Sequence, residues 1–250
     1  MTAMPPLLIL SVILQFICLV HCIRSGRPSF WIWILIIGSF LGVAAYAFTQ
    51  ILPDLRHDPR ARTAARGLAK RIDPERDLRG LRDELQRADT VQNRLRLAKE
   101  FLELGSAMEA EEILRACLKG MNATDTDIML ALAQAQFAQG KFADTEHTLK
   151  DLIEANPGFR SSEGHLLFAR SLDANGRQAE ALAEFDVLDD SYPGEEARLR
   201  KAQLLIGMGR SADAKVALET TLARTRIAPP FYRRAQKPWI DQAQALLKTL

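Results

Sequence analysis

The chain has 250 residues, with 33 Lys and Arg against 31 Asp and Glu, and it contains three cysteines. This near-neutral balance argues against duplex DNA or RNA as a partner, because such partners need a basic face that neutralises phosphates. The cysteines do not form the even, spaced set of a secreted disulfide protein, so a reducing compartment is the simpler expectation.

Residues 1–53 differ in composition from the rest of the chain. They contain no Asp or Glu, and their only Lys or Arg residues are Arg24 and Arg27. As helices rising about 1.5 Å per residue, the uncharged runs beside these arginines could cross a hydrocarbon core of about 30 Å. We therefore predict a transmembrane helical hairpin over residues 1–53, with spans at about 4–23 and 29–52. A cleaved signal peptide is the alternative, but the chain start has no basic residue and a second apolar run follows directly.

Basic residues are distributed unevenly around the two predicted spans. None precedes the first span, two lie in the loop, and six follow the second span within residues 54–71. Because Lys and Arg near span ends stay on the cytoplasmic side, both termini are predicted to be cytoplasmic. The sequence thus predicts a multi-pass protein of a bacterial inner (plasma) membrane, with lipid contacts through the hairpin.

Small residues form a stripe in the second predicted span. Gly38, Gly42 and Ala45 share one helix face, and a face of small residues lets another helix approach closely. We predict that this face packs against the first span. Association of two copies of the chain through the same face is the alternative.

The loop between the spans and the start of the second span carry a family resemblance. Residues 21–28, His-Cys-Ile-Arg-Ser-Gly-Arg-Pro, lead into Trp-Ile-Trp-Ile-Leu at 31–35 and then to Gly42. This segment resembles the N-terminal hairpin of cardiolipin synthases and related phospholipase D-like proteins, which implies a membrane anchor. Those enzymes use paired His-x-Lys-x4-Asp motifs, whereas none of the four histidines here has Lys two positions later. The resemblance therefore does not extend to the activity.

Residues 91–228 contain a repeated pattern built on four turn glycines. The glycines are separated by 35, 36 and 33 residues and are Gly105, Gly140, Gly176 and Gly209. Seven residues before them stand the alanines Ala98, Ala133, Ala169 and Ala202. Five residues after them stand Ala110, Thr145, Ala181 and Ala214, and four positions further on Leu114, Leu149, Phe185 and Leu218. Small residues at fixed positions are expected where neighbouring helices cross closely.

This pattern resembles the tetratricopeptide repeat (TPR), a helix–turn–helix unit of about 34 residues. We predict an all-α fold with an α-solenoid of about four TPRs over 91–228. Basic juxtamembrane linker helices are expected over 54–90, and a C-terminal capping helix over 229–250. The aromatic position early in each first helix departs from the family, since it holds Arg94, Met129, His165 and Arg198. We interpret the terminal repeats as degenerate.

In a TPR array the first helices of the pairs line a concave surface, which is the default binding site. Transferring the family's inward-facing positions predicts a partner-binding face consisting of Gln92, Lys99, Asp127, Gln134, Phe137, Glu163, Arg170, Glu196, Arg200 and Gln203. The clamp with which some family members bind the C-terminal carboxylate of chaperones is absent. Its four positions hold Leu95, Lys99, Leu130 and Gln134. The alternative for each single candidate is a solvated helix face.

The sequence lacks the motifs of common enzyme classes, with no glycine-rich phosphate loop, no Gly-x-Ser-x-Gly and no ligand-spaced His, Cys or carboxylate cluster. We predict no catalytic residue, no cofactor, no metal and no nucleic-acid partner. The predicted function is a membrane-anchored TPR scaffold or adaptor that recruits a protein partner at the cytoplasmic face of the inner membrane. Two alternatives stay open: a homo-oligomeric structural membrane protein, and a non-catalytic regulator of envelope phospholipid synthesis.

Overall fold

The computed structural model describes residues 6–25, 28–37, 39–51, 53 and 73–250. Every regular element in these residues is a helix, which confirms the predicted all-α class. The chain divides into two units, Met1–Arg76 and Asp77–Leu250.

The described part of the first unit consists of three α-helices and a π-helical segment. They are α1 (Pro6–Arg24), α2 (Phe30–Ile37), α3 (Ser39–Tyr46) and the π-helical segment Ala47–Ile51. Their shared core is formed by Cys18, Cys22, Leu35, Val43 and Tyr46, all buried. The hydroxyl of Tyr46 lies 3.1 Å from Nδ1 of His21, so the polar end of this buried ring is bonded inside the unit.

The predicted transmembrane hairpin, and with it the inner-membrane location and the cytoplasmic termini, is contradicted. Across the described residues, no helix combines enough length with enough apolar character to cross a membrane. The second predicted span contains two helices, α2 and α3, of 8 residues each. At about 1.5 Å per residue each extends only about 12 Å. A Cβ on Gly42 would overlap the carbonyl oxygen of Ile34, so the missing side chain lets α3 pack directly on α2.

The second unit is a series of helices joined by short turns. They are α4 (Arg76–Arg87), α5 (Val91–Glu103), α6 (Ala107–Cys117), the 3-10 turn Gly120–Asn122, α7 (Thr126–Ala138), α8 (Phe142–Ala155), α9 (Ser162–Ala174), α10 (Gln178–Ser191), α11 (Glu196–Gly207), α12 (Ser211–Ile227), α13 (Pro230–Ala235) and α14 (Lys237–Leu247). The helices from α5 to α12 form four successive hairpins, and each hairpin contains one of the turn glycines.

The turn glycines end the first helix of each hairpin in the same way. Gly105, Gly140, Gly176 and Gly209 have φ of 82°, 75°, 78° and 76°. In each turn the residue after the glycine donates its N–H to the carbonyl five residues earlier, as Ser106 does to Phe101 at 2.9 Å. This Schellman arrangement needs a residue that tolerates positive φ, which glycine does without strain. The predicted role of the glycines is confirmed.

The small and large positions of the repeat are buried as predicted. The alanines seven residues before the glycines have no exposed surface, and neither do Ala110, Thr145, Ala181 and Ala214. The large residues four positions later are at most 2% exposed. Absence of side-chain bulk at these crossings lets the helices of one hairpin approach each other, while the large residues fill the space between hairpins.

The two ends of the array are covered by additional helices. At the start, Leu78 of α4 packs in one cluster with Leu95 and Phe101 of the first hairpin. At the other end, α14 buries Ala243 against Leu199 and Leu218 of the last hairpin. These helices remove from water the apolar faces that the terminal repeats of a solenoid otherwise expose.

Ion pairs in register join the second helices of successive hairpins. Glu111 of α6 accepts a hydrogen bond from Nζ of Lys141 at 2.7 Å, and Glu146 of α8 pairs with Arg177. In both pairs the acid stands six residues after one turn glycine and the base directly follows the next. Both carboxylates are nearly buried, with residue exposures of 5% and 8%. These pairs fix the spacing of neighbouring repeats.

We expect the Glu111 pair to make the stability of the array depend on pH. Burial alone would raise the pKa of Glu111, but hydrogen bonds from Lys141, Arg115 and Gln139 outweigh it and lower that pKa to about 2. Since the folded pKa lies below the unfolded value of about 4.3, the stabilisation is complete above that pH and disappears as the pH falls towards 2. Glu111→Gln should therefore lower the free energy of unfolding at pH 7 by about 1–3 kcal/mol.

Urea unfolding followed by far-UV circular dichroism at pH 7, 4.5 and 3 tests this expectation. The difference in stability between wild type and Glu111→Gln should shrink as the pH falls. Glu219 is exposed on α12, so Glu219→Gln serves as the control with little effect at any pH. A difference for Glu111→Gln that stays constant from pH 7 to pH 3 would contradict the assigned pKa.

Candidate functional site

Two adjoining hollows lie along the face formed by the first helices of the second, third and fourth hairpins. The arginine hollow has a volume of about 360 Å³ and is lined by Phe137, Arg170, Asp173, Ala174, Gln178, Phe185, Arg200, Gln203, Leu204 and Gly207. The tyrosine hollow has a volume of about 230 Å³ and is lined by Gln134, Glu163, Leu166, Leu167, Arg170, Tyr192 and Glu196. Arg170 lines both hollows, so they are neighbours on this face, and together they form a depression lined by residues of three repeats.

Arg170 stands at the centre of this depression on α9. Its guanidinium carbon lies 4.4 Å from the centroid of the Phe137 ring on the preceding first helix. The Phe137 ring itself is held edge-on by Phe142 at a centroid distance of 5.1 Å. Burial lowers the pKa of Arg170, and nearby Arg200 lowers it further. The guanidinium thus lies over a fixed aromatic face, next to a second cation.

The charged groups near Arg170 differ between the two hollows: Arg200 lines the arginine hollow, whereas Glu163 and Glu196 line the tyrosine hollow. Arg200 is bonded to Glu196 at 2.7 Å on its own helix, and its guanidinium also lies 5.8 Å from the Trp239 ring of α14. Burial raises the pKa of Tyr192, and the carboxylates of Glu196 and Glu163 raise it further. The depression therefore has a cationic part in the arginine hollow and an acidic part in the tyrosine hollow.

The structure brings together most, but not all, of the residues predicted for the binding face. Seven of them line the two hollows: Gln134, Phe137, Glu163, Arg170, Glu196, Arg200 and Gln203. The other three, Gln92, Lys99 and Asp127, are exposed on α5 and α7 and line neither hollow. The depression is thus centred on the third hairpin, and the first hairpin contributes nothing to it.

The small-residue stripe predicted for the N-terminal region is only partly described. Gly38 lies outside the described residues. Gly42 is buried against α2, as described above, and Ala45 is exposed. The carbonyl of Ala45 accepts a hydrogen bond from the Thr49 hydroxyl at 2.7 Å. Of the two stripe residues that are described, only Gly42 lies in the contact between α3 and α2.

Sequence reasoning missed Asp173 and Tyr192 as lining residues. Asp173 stands three residues before its turn glycine, which is the position that Phe137 occupies one repeat earlier. Comparing these positions would have placed Asp173 on the same face. Tyr192 directly precedes Pro193, a pair typical of a helix end, so the repeat pattern does not predict that its ring lines the binding face. Its ring reaches the tyrosine hollow because α10 ends at Ser191, directly before it.

A second charged hollow, of about 440 Å³, lies between α10, α11 and α12. Its bases and acids are bonded to each other: Nζ of Lys201 is 2.9 Å from Asp186 and 3.0 Å from Asp189. Nε of Arg198 is 2.9 Å from Asp189, and Arg198 also pairs at 3.2 Å with Glu195, which does not line the hollow. Because these charges already satisfy each other, the hollow is better explained by fold stability than by ligand binding.

Another hollow is mostly apolar and lies between α8, α9 and α10. It has a volume of about 320 Å³ and includes Leu149, Leu152, Ile153, Phe159 and Phe168. A close polar pair at its edge joins Nε2 of His165 to Glu184 at 2.7 Å. Within the described residues, no group of three or more His, Cys, Asp or Glu side chains is arranged to hold a metal ion.

Comparison with solved structures supports a TPR-like fold for this chain. It is similar to TTC0263, a thermophilic TPR protein of Thermus thermophilus, with 18% identity, a TM-score of 0.53 and coverage of 69% of this chain and 87% of that one. It is also similar to a crystal structure of MamA (18%, TM-score 0.52, coverage 63% and 93%). The third is MamA 41-end from Desulfovibrio magneticus RS-1 (12%, TM-score 0.55, coverage 67% and 95%).

At these identities the likeness shows the fold alone. No protein-family model and no curated protein matches the sequence. The TPR-like part of the sequence interpretation is therefore supported, whereas none of these comparisons supports the resemblance of the N-terminal segment to cardiolipin synthases.

Proposed function

We propose that this protein is a scaffold that binds a segment of a protein partner in the depression formed by the arginine and tyrosine hollows. One observation carries the proposal: seven residues from three successive repeats meet there, and Arg170 joins the two hollows. A depression lined by three successive repeats fits an extended or helical segment better than a compact small molecule.

The chemistry of the lining supports a protein ligand. Tyr and Arg contribute much of the binding energy in many protein interfaces, because they combine a large contact area with directed hydrogen bonds. Tyr192 and Arg170 are both partly buried in the depression, so each would lose little conformational freedom on binding. Gln134 and Gln203 provide amide groups at its two ends, where they can bond to a partner backbone.

Site-specific photo-crosslinking in cells tests the proposal. A photoreactive phenylalanine analogue is placed at Gln134 and, in a second variant, at Gln203. The same analogue at Glu219, an exposed position on α12, is the matched control. We expect both positions in the depression to give an adduct with the same protein, and the control to give none.

The identity of the adduct separates the possible outcomes. An adduct with another polypeptide supports a scaffold that binds a partner. An adduct with the mass of two copies of this chain would instead support self-association through the same face. Absence of any adduct from Gln134 and Gln203, or adducts of equal yield from Glu219, would contradict the proposed function.

A further inference from the structure

We infer that the arginine hollow binds a carboxylate presented by the partner segment, with Arg170 as its contact. The inference rests on the proposed function, because it names the chemistry that the same face recognises. It is carried by the position of Arg170, its lack of an acidic partner and the walls of the hollow around it.

Arg170 differs from every comparable arginine of the repeats. Within residues 91–228, all of which are described, five arginines are buried or partly buried: Arg94, Arg170, Arg177, Arg198 and Arg200. Four of them have a carboxylate partner. Arg170 has none, and no protein oxygen in the described chain accepts a hydrogen bond from it. A partly desolvated cation without a hydrogen-bond acceptor is unfavourable. An anion from a partner would supply the acceptor that the Arg170 guanidinium lacks.

The Phe137 ring sets the direction from which an anion can approach. The guanidinium carbon of Arg170 lies over the Phe137 ring, so the ring closes that side of the cation and an anion has to approach from another side. Two parallel N–H groups match the two oxygens of a carboxylate. Arg200 adds positive potential, although Nε and one terminal nitrogen of its guanidinium already contact Glu196.

The walls of the hollow fit a carboxylate on a short aliphatic stem. Phe185 and Leu204 form the buried apolar floor of the arginine hollow, and the partly buried Phe137 ring is the apolar surface that the methylene groups of a Glu or Asp side chain would contact. Asp173 lines the same hollow, and burial raises the pKa of its carboxyl. It has no ion pair among the described residues. Repulsion from Asp173 disfavours a doubly charged phosphate more than a singly charged carboxylate, so we assign the site to a carboxylate.

The test measures binding of fluorescent peptide pools to the full chain by anisotropy. All pools are nonapeptides of randomised Ala, Leu and Ser with an acetylated N-terminus. The first has a central Glu and an amidated C-terminus, and the second has Gln in its place. The third has no Glu and a free C-terminal carboxylate. Inorganic phosphate is the competitor.

We expect the Glu pool to bind at least about tenfold more tightly than the Gln pool, as a charge-assisted pair requires. Arg170→Gln should remove this difference, whereas Arg170→Lys should keep part of it, because the charge stays and the planar fork is lost. Arg226→Gln, at an exposed position on α12, should leave the difference unchanged. Thermal unfolding of each variant verifies that it is folded.

Each other outcome has a defined meaning. If the free C-terminus pool binds more tightly than the Glu pool and depends on Arg170, the carboxylate contact is supported and its source is a chain end. Three results overturn the inference. They are equal binding of the Glu and Gln pools, no detectable binding at protein concentrations up to about 1 mM, and displacement of the bound peptides by phosphate. If the crosslinks from Gln134 and Gln203 persist in that case, the carboxylate contact alone fails. Loss of both results removes the proposed function as well.

Discussion

Replacing Arg198 by alanine is expected to lower the free energy of unfolding by about 3–5 kcal/mol, because the change leaves buried charges without a counter-ion. The side chains of Arg198 and Glu195 are only 6% and 4% exposed. Arg198 bonds to Glu195, to Asp189 and, at 2.9 Å, to the carbonyl of Gly194. Without the guanidinium, Glu195 keeps only neutral donors, such as the Tyr232 hydroxyl at 2.7 Å.

Chemical unfolding monitored by far-UV circular dichroism measures this effect. Arg226→Ala is the matched control, since Arg226 is exposed on α12, and it should change stability by less than about 0.5 kcal/mol. The double variant Glu195→Gln/Arg198→Met removes both charges together and should recover part of the loss. If the free energy of unfolding of Arg198→Ala lies within about 1 kcal/mol of wild type, which is the upper end of the range for exposed ion pairs, the buried network does not contribute the expected energy.

Arg198 also shows what the repeat pattern could not predict. It occupies the position where the family has an aromatic residue, and this departure was interpreted as degeneration of a terminal repeat. In the structure the same departure is a buried ion network. Two of its acids, Asp189 and Glu195, are near in sequence, but the groups that complete it come from α13 and the residue after it. Gln236 accepts from the backbone N–H of Glu195 at 3.0 Å, a contact across 41 positions that no local pattern reveals.

The hairpins, in contrast, were predictable because their requirements are local. A turn position with positive φ favours glycine, and a close helix crossing favours a small side chain. Each requirement therefore selects a particular residue type at a fixed position of every repeat. The structure gives positive φ at all four glycines and complete burial at all four alanines. Such constraints act within one turn or one crossing, and they survive even where the rest of the repeat departs from its family.

Hydropathy misled the interpretation of the N-terminal region for a physical reason. An apolar run reports that side chains avoid water, but it does not report where a helix ends. Phe30–Ile37 and Ser39–Tyr46 are separate helices that pack on each other and on α1, so their apolar groups partly cover one another. Gly42 was interpreted as a contact for another span. It instead allows α3 to contact the backbone of α2 at Ile34.

The binding face was predictable to the level of helix faces but not of contacts. The register of the repeats predicted that Arg170 and Phe137 share a surface. Arg170 stands six residues before the turn glycine of its repeat, and Phe137 stands three residues before the turn glycine of the preceding repeat. Because these are different repeat positions, the pattern does not predict their contact, which depends on the directions of the two side chains. The sequence also does not reveal that Arg170 forms no ion pair. Glu163 on the same helix and Glu196 on the next line the tyrosine hollow together with it, but Glu196 pairs with Arg200 instead.

Phe185→Ala is expected to lower the free energy of unfolding by about 3–5 kcal/mol, because it opens a cavity in a closely packed core. Phe185 is 1% exposed and packs in one cluster with Leu172, Leu188 and Leu204. This cluster joins α9 and α10 of the third hairpin to α11 of the fourth. Phe231 on α13 is 75% exposed, so Phe231→Ala is a control that removes the same side chain and should change stability by less than about 0.5 kcal/mol.

Hydrogen exchange shows whether this loss spreads as a repeat array requires. In a solenoid each repeat is stabilised mainly by its direct neighbours. The Phe185→Ala variant should therefore exchange fastest in residues 162–207, while residues 91–117 keep most of their protection. Equal loss of protection in all four hairpins would mean that the array unfolds as one unit. In that case the Phe185 cluster stabilises the whole fold, because the ion pairs and apolar contacts between repeats couple them more strongly than nearest-neighbour packing implies.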